Sequence, residues 1–366
     1  MYKYCLAVPA IPVLSFNVAN IVKAIYGKNK KGLVLDLDNT LWGGVIGDDG
    51  VEGISLGQET SDGQAYQDFH RYLKSLAKIG ITLSVCSKND EKNALLGLNH
   101  PDSILKKDDF VQIKANWNNK DLNFKEIAND INVSADSLVF VDDNPSERDL
   151  VTSQIPGVVA PNIEEVTSYI STIDRSGFFE NISLSEDDLK RNEMYKSNQQ
   201  RANLKSQFKN YGEYLDSLEM KAQIKPFEPL YFERISQLTN KSNQFNLTTL
   251  RLTENEIEKI SNNKRYLTFY GKLTDKFGDN GIVSLVIGEI LDDVLHIRLW
   301  LMSCRVLKRD FELAMLDRLI EAAITMKLSC IIGYYFRTEK FQNSMVLTAL
   351  KKFQRMTKVI QSGSMR

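Results

Sequence analysis

Three short apolar runs constrain the fold more than any other feature of the chain. They are Leu33-Val34-Leu35-Asp36-Leu37, Ile81-Thr82-Leu83-Ser84-Val85-Cys86 and Ser137-Leu138-Val139-Phe140-Val141. Each is too short for a helix and rich in strand-forming side chains, as strands buried on both faces are. Helical patterns separate them. Ala65, Phe69, Leu73 and Leu76 share one face of a helix that Gly80 stops, and Phe124, Ile127 and Ile131 share a face before the third run. This βαβ rhythm predicts a parallel sheet with helices on both faces, whose ligands sit beyond the carboxyl ends of the strands.

At 366 residues, and ~150 residues per domain, the chain accommodates two or three domains. Residues 1–30 read as an extended N-terminal arm, because Pro9 and Pro12 interrupt the weakly apolar stretch from Cys5 to Leu14. Residues 31–180 hold the βαβ pattern. Residues 181–219 turn polar and read as a helical connector, opened by a cap-like Ser185 and Asp188. Its apolar stripe is Leu204, Phe208, Tyr211, Leu215 and Leu218, with Gly212 weakening it midway. Residues 220–366 follow another order. Helices lie near Glu233 and Glu254, and strands at Tyr266–Tyr270, Gly281–Ile287 and Leu295–Leu301. A helix from Phe311 to Met326, a strand from Ser329 to Tyr335 and a final helix complete an α+β pattern.

Lys plus Arg less Asp plus Glu is 46 − 47 = −1, which leaves no long-range field for gathering nucleic acid or anionic membrane. No run approaches the ~20 apolar residues that span a bilayer. Cys5, Cys86, Cys304 and Cys330 form no CxxC pair, which fits a reducing, cytoplasmic compartment. With only His70, His100 and His296, a centre of clustered histidine ligands is excluded.

The chemistry concentrates at the strand ends. Asp36-Leu37-Asp38-Asn39-Thr40 closes the first, and two carboxylates two residues apart suit a nucleophile with a proton donor beside it, near a hard cation. The alternative is a solvated turn broken by Asn39 and Gly43. The second strand ends in Cys86-Ser87-Lys88-Asn89, whose hydroxyl suits a phosphoryl oxygen, and the third in Asp142-Asp143-Asn144, whose carboxylates suit a cation. Lys120 lies between them as a neutralising charge, with Lys114 as its rival. Glu147 and Asp149 read as the start of a helix rather than as ligands.

The segments LVLDLDNTLWGGVIGDDG, VCSKND, NWNNK and VFVDDNPSERDL, with NKSNQFNLTT and DKFGDNGIV in the second half, resemble the signatures of FkbH-like proteins of the haloacid dehalogenase (HAD) superfamily. The resemblance implies an α/β, HAD-like Rossmannoid parallel sheet followed by an α+β GNAT-like domain. Only 21 residues, Trp42 to Asp62, are left for a minimal cap compatible with a short β-hairpin. It implies that Asp36 captures the phosphoryl group, that Asp38 serves as acid and base and offers its carbonyl to Mg²⁺, and that Ser87 and Lys120 hold phosphoryl oxygens. Asp142 would bind the cation with Asp143 as helper, and Thr40, Lys88, Asn89 and Asn144 would line the substrate.

The same resemblance implies a reaction beyond hydrolysis. A glyceryl group from 1,3-bisphosphoglycerate, a small phosphorylated three-carbon substrate, would pass through a Cys86 thioester to the phosphopantetheine thiol of an acyl carrier protein. The other reading of Cys86 is a small buried hydrophobe. In the second domain, Lys308 and Asp310 stand where a CoA cradle wants glycine, leaving Arg305 and Arg309 for a phosphopantetheine phosphate. Asn240, Lys241, Asn243, Gln244, Asn246, Asp279 and Asn280 form either a binding surface or an amide-rich turn and hairpin. Two rival functions are a simple Mg²⁺-dependent phosphatase, acting on a sugar phosphate or phosphoprotein, and a non-catalytic carrier-binding module.

Overall fold

The computed structural model describes residues 6–131, 133–181, 184, 189, 191–241, 245–303, 306, 307, 309–335 and 358–361. The chain divides into two compact units, residues 1–202 and 203–366.

In the first unit, helix α1 (Ile11–Ile25) precedes strand β1 (Gly32–Leu35). Then come α2 (Ile46–Gly53), α3 (Ser61–Lys78), β2 (Thr82–Ser87), α4 (Glu91–Leu98), β3 (Gln112–Ala115), α5 (Lys120–Asp130), β4 (Leu138–Val141), α6 (Pro145–Gln154), α7 (Val166–Arg175) and α8 (Arg191–Lys205). The strands pair in parallel in the order β3-β2-β1-β4. Leu35 faces both Val85 and Val141, and Ser87 faces Ala115, so the carboxyl ends lie level along one edge.

Both sheet faces are covered. Leu33 and Leu35 pack with Phe69 and Leu73 of α3 and with Tyr169 and Ile173 of α7. Val34 packs on the other face with Phe124 and Ile127 of α5 and Val151 of α6. Each face buries a dozen or more apolar side chains, the larger aliphatic and aromatic ones at about 1.5–3 kcal/mol apiece, which holds the strand ends in register.

Three expectations need correction. The N-terminal segment is helical, because Pro12 occupies the first turn of α1, where its missing N–H has no partner to lose. Residues 8–25 (18 residues, mean hydropathy 1.5, 11% buried) suffice by length and composition to cross a membrane, against the expectation that no run would; a signal sequence or a core helix meets the same criterion. The expected connector does not stand apart. In α8, Tyr195 joins the first core, and Asn192 Nδ2 donates to the Ala77 carbonyl (2.9 Å). The apolar stripe then breaks at 206–210, and α9 (Tyr211–Ser217) opens the second unit. The cap at Ser185 and Asp188 lies outside the described residues.

The second unit is α+β. Around β5 (Lys221–Lys225), α10 (Phe232–Lys241), β6 (Phe245–Asn246), α11 (Glu254–Ser261), β7 (Tyr266–Asp275), β8 (Gly278–Leu291), β9 (Val294–Met302), α12 (Phe311–Thr325), β10 (Cys330–Tyr335) and β11 (Lys358–Gln361), a sheet runs β11-β10-β9-β8-β7-β5, with β6 on β9. Strands β5, β7, β8 and β9 are antiparallel, whereas β9, β10 and β11 are parallel. The expected final helix, together with Cys304, Arg305, Lys308, Asn243, Gln244, Cys5 and the side chain of Lys241, lies outside the described residues.

His70 of α3 is fully buried; its Nε2 lies 2.7 Å from the Leu41 carbonyl, and its Nδ1 has no partner. Burial pushes the imidazole down to about 4 from 6.5. The folded chain keeps His70 neutral, whereas the unfolded chain takes up a proton below about pH 6.5. The stability it confers is therefore complete above that pH and falls, by about 3 kcal/mol, as pH drops through 6.5 toward about 4. His70→Gln, whose amide still donates to Leu41, should show a shallower loss in urea denaturation across this window; an unchanged slope contradicts the assignment.

Candidate active site

The site is built where β1 ends. The Asp36 amide donates to the Val141 carbonyl (2.9 Å), which extends the pairing by one residue. The chain then turns, with Thr40 N and Leu41 N both reaching the Leu37 carbonyl (3.1 and 2.7 Å). Asn39 takes the left-handed conformation (φ 54°), which asparagine tolerates because its side chain bonds locally. Its Oδ1 accepts from Gly44 N (2.9 Å), and its carbonyl accepts from the hydroxyls of Tyr169 (2.9 Å) and Tyr66 (3.3 Å).

Lys120 begins α5 and is 3% exposed. Its Nζ lies 2.6 Å from both Asp36 Oδ2 and Asp142 Oδ2. Burial opposes its charge, but the Asp36 and Asp142 carboxylates and their hydrogen bonds outweigh that and hold the ammonium above its ordinary range. Lys114 is instead engaged at the surface by Glu126 (3.0 Å) and Asp130 (3.3 Å), so Lys120 is the lysine at the acidic cluster.

Asp36, Asp142 and Asp143 each offer an oxygen, and these atoms lie within 4.8 Å of one another. Burial and the neighbouring Asp36 charge push the Asp142 carboxyl up to about 6, and burial likewise raises Asp143 and Asp38. The Lys120 ammonium pairs with Asp36 and Asp142, and Asp36 Oδ1 is buried without a partner. A buried oxygen left in this state is unusual, and hard oxygen donors with unmet negative charge suit a small divalent cation such as Mg²⁺.

Asp38 is held separately. Its Oδ1 accepts from Trp42 Nε1 (2.9 Å) and Ile46 N (3.1 Å), and its Oδ2 accepts from Asn89 Nδ2 (2.9 Å). Its carboxylate is therefore not part of the three-aspartate cluster. Ser87 closes β2 at the same sheet edge and is buried. The segment between β1 and α3 holds the short helix α2 and two isolated bridges, Asp38–Trp42 and Gly43–Ser55, rather than a hairpin.

Several residues expected on the substrate are occupied within the chain. The Thr40 hydroxyl accepts from Asp143 N (3.3 Å). Asn89 braces Asp38, and Asn144 caps α6 by accepting from Ser146 N (2.9 Å). Lys88 pairs with Glu147 (2.6 Å), so Glu147 does more than open a helix. Cys86 departs furthest from a relay. It is fully buried beside Val34 and Phe124, its thiol donates to the Lys120 carbonyl (3.6 Å), and burial pushes that thiol well up. A thiol so placed is disfavoured as a thiolate.

The second unit's candidates are also engaged. Arg309 is buried against Asp275 (2.9 Å). Asn240, Asn246, Asp279 and Asn280 bond to nearby backbone, which favours the turn-and-hairpin reading. The sequence reading missed Trp42, whose place four residues after Asp38 was its one signal. It also missed Arg148, which donates to the carbonyls of Asp142 and Asp143 (2.7 Å each) and so fixes both acids' backbone.

No protein-family model matches the chain, and no curated protein matches it. Among solved structures it is similar to the N-terminal part of a Bacteroides fragilis protein, described as containing a phosphatase domain and complexed with Mg. Identity there is 42% and the TM-score 0.48, over 50% of this chain and 49% of that one, so this chain spans about half the length of its relative. It is also similar to the ribosomal-protein-S18-alanine N-acetyltransferase of Escherichia coli (13% identity, TM-score 0.29, 36% of this chain and 76% of that one). A Streptococcus pneumoniae acetyltransferase of the GNAT family gives 15% identity and a TM-score of 0.29 over 36% of this chain and 83% of that one. The chain is an α/β unit with a parallel sheet followed by an α+β unit, with the buried Asp36 and Asp142 and the half-buried Asp143 clustered at the carboxyl edge of the first sheet.

Proposed function

We propose that the chain is a Mg²⁺-dependent phosphatase of the HAD type, with Asp36 as the nucleophile. The observation that carries this reading is the unpartnered Asp36 Oδ1 beside Asp142, Asp143 and the Lys120 ammonium. Asp36, Asp142 and Asp143 would hold the cation, which when bound neutralises charge on the phosphoryl oxygens. The similarity to a phosphatase domain crystallised with Mg supports the choice of metal.

In this reading Asp36 forms an O–P bond as the bond from phosphorus to the leaving oxygen breaks, and that oxygen takes a proton from Asp38. A water then forms a new O–P bond and loses its proton to Asp38, the bond to Asp36 breaks, and phosphate leaves. Lys120 offsets negative charge throughout, and covalent capture divides one hard displacement into two easier ones.

The finer proposal, transfer of a glyceryl group from 1,3-bisphosphoglycerate to an acyl carrier protein in the cytoplasm, rests on the motif resemblance. The burial of Cys86 weighs against its being the relay. The expected result is Mg²⁺-dependent release of phosphate from p-nitrophenyl phosphate, lost on chelation and kept within about twofold by Cys86→Ala, since that thiol is buried against the Lys120 backbone. Release that survives chelation contradicts the metal reading. A glyceryl adduct on Cys86, seen by intact mass after exposure to the acyl phosphate, would restore the relay.

A further inference from the structure

Trp117 is 70% exposed, whereas Trp42 and Trp300 are 0% and 5% exposed. An indole left in water keeps a large apolar ring unburied. Yet this ring is not loose, because its Nε1 donates to Asp90 Oδ1 at 2.9 Å. The loop beneath it is fixed too. Asn116 N donates to the Ser87 carbonyl (3.1 Å), and Asn116 Oδ1 accepts from Asn118 N (3.0 Å) and Asn123 Nδ2 (2.8 Å).

Both ends of this arrangement adjoin the phosphoryl site. Asp90 follows Asn89, whose amide holds Asp38 Oδ2, and Lys120, which grips Asp36 and Asp142, lies three residues after Trp117. A ring oriented by a hydrogen bond to Asp90, the neighbour of the Asn89 that holds Asp38, and carried on a pinned loop, is a stacking platform prepared before ligand arrives. Little further ordering is then needed on binding.

We propose that Trp117 forms a leaving-group subsite that stacks against a flat aromatic ring carried by the departing alcohol of a phosphate monoester. The inference rests on reading the site as one for phosphate monoesters, and adds which esters it favours.

Phenyl-, n-butyl- and methylphosphonate test it, since their C–P bonds resist hydrolysis and binding is read without turnover. Titrated calorimetrically into the full chain with Mg²⁺, phenylphosphonate should bind about tenfold more tightly than methylphosphonate, as an aromatic pair with its buried area warrants. Butylphosphonate, which offers apolar area without a ring, should fall well short of phenyl. Trp117→Leu should erase the phenyl preference over butyl, and Trp117→Phe should keep part of it. Equal affinity for phenyl and butyl in the native chain, a preference that survives Trp117→Leu, or no binding of any of the three overturns the proposal. The phosphatase reading is judged separately, by phosphate release from the native chain and from Asp36→Asn.

Discussion

Asp36→Asn is expected to abolish phosphate release, lowering kcat/KM for p-nitrophenyl phosphate by about 10⁴-fold or more, as loss of a covalent nucleophile does. The substitution is close to isosteric. Lys120 keeps Asp142 as a partner at 2.6 Å, and the amide oxygen still accepts, so the fold should survive. What is lost is the anionic oxygen, which is also one of three carboxylates available to a cation. Circular dichroism and thermal unfolding of the variant should match the native chain while steady-state release of phosphate vanishes. A variant that keeps a tenth of native activity would show that another residue attacks phosphorus.

Lys120→Met should act on stability first. The side chain keeps its length but loses both contacts, leaving Asp36 and Asp142 buried with no counter-charge of their own. Removing one member of a buried ion pair costs about 3–5 kcal/mol, so without metal the unfolding midpoint of the first unit should drop by roughly 10 °C. A divalent cation supplies the missing positive charge. Added Mg²⁺ should therefore raise the midpoint more in Lys120→Met than in the native chain, while activity stays at least about a hundredfold down for want of charge on the phosphoryl oxygens. Differential scanning calorimetry with and without Mg²⁺ reads both effects. An unchanged metal-free midpoint would mean that the paired ammonium contributes nothing.

The first unit's sheet was legible because β1, β2 and β4 are buried on both faces and so are written as continuous apolar runs. Strand β3 was not. Its residues Gln112 to Ala115 are half-buried at a sheet edge, and polar side chains at alternate positions give no apolar run to read. Helix α1 was hidden by counting Pro12 as an interruption, although in a first turn it is neutral.

At the site, residue types at strand ends were readable, but what each side chain meets was not. Alternation puts Cys86 on the face of Val34 and Phe140, which Asp36 and Asp142 continue, but it cannot say that the thiol lies buried against the Lys120 carbonyl. The hydrogen bonds that occupy Thr40, Asn89 and Asn144 depend on partners from other segments or on a cap whose exact start the sequence does not mark.

The reading of Asp36 as nucleophile is tested most directly by trapping the intermediate. Protein turning over a phosphate ester with Mg²⁺ is quenched in acid and reduced with borohydride, which converts an aspartyl phosphate to the alcohol, and its peptides are mapped by mass. The account predicts the reduced residue at position 36 and nowhere else. A trapped group on Cys86 or any other side chain, or none under conditions where phosphate is released, would contradict it.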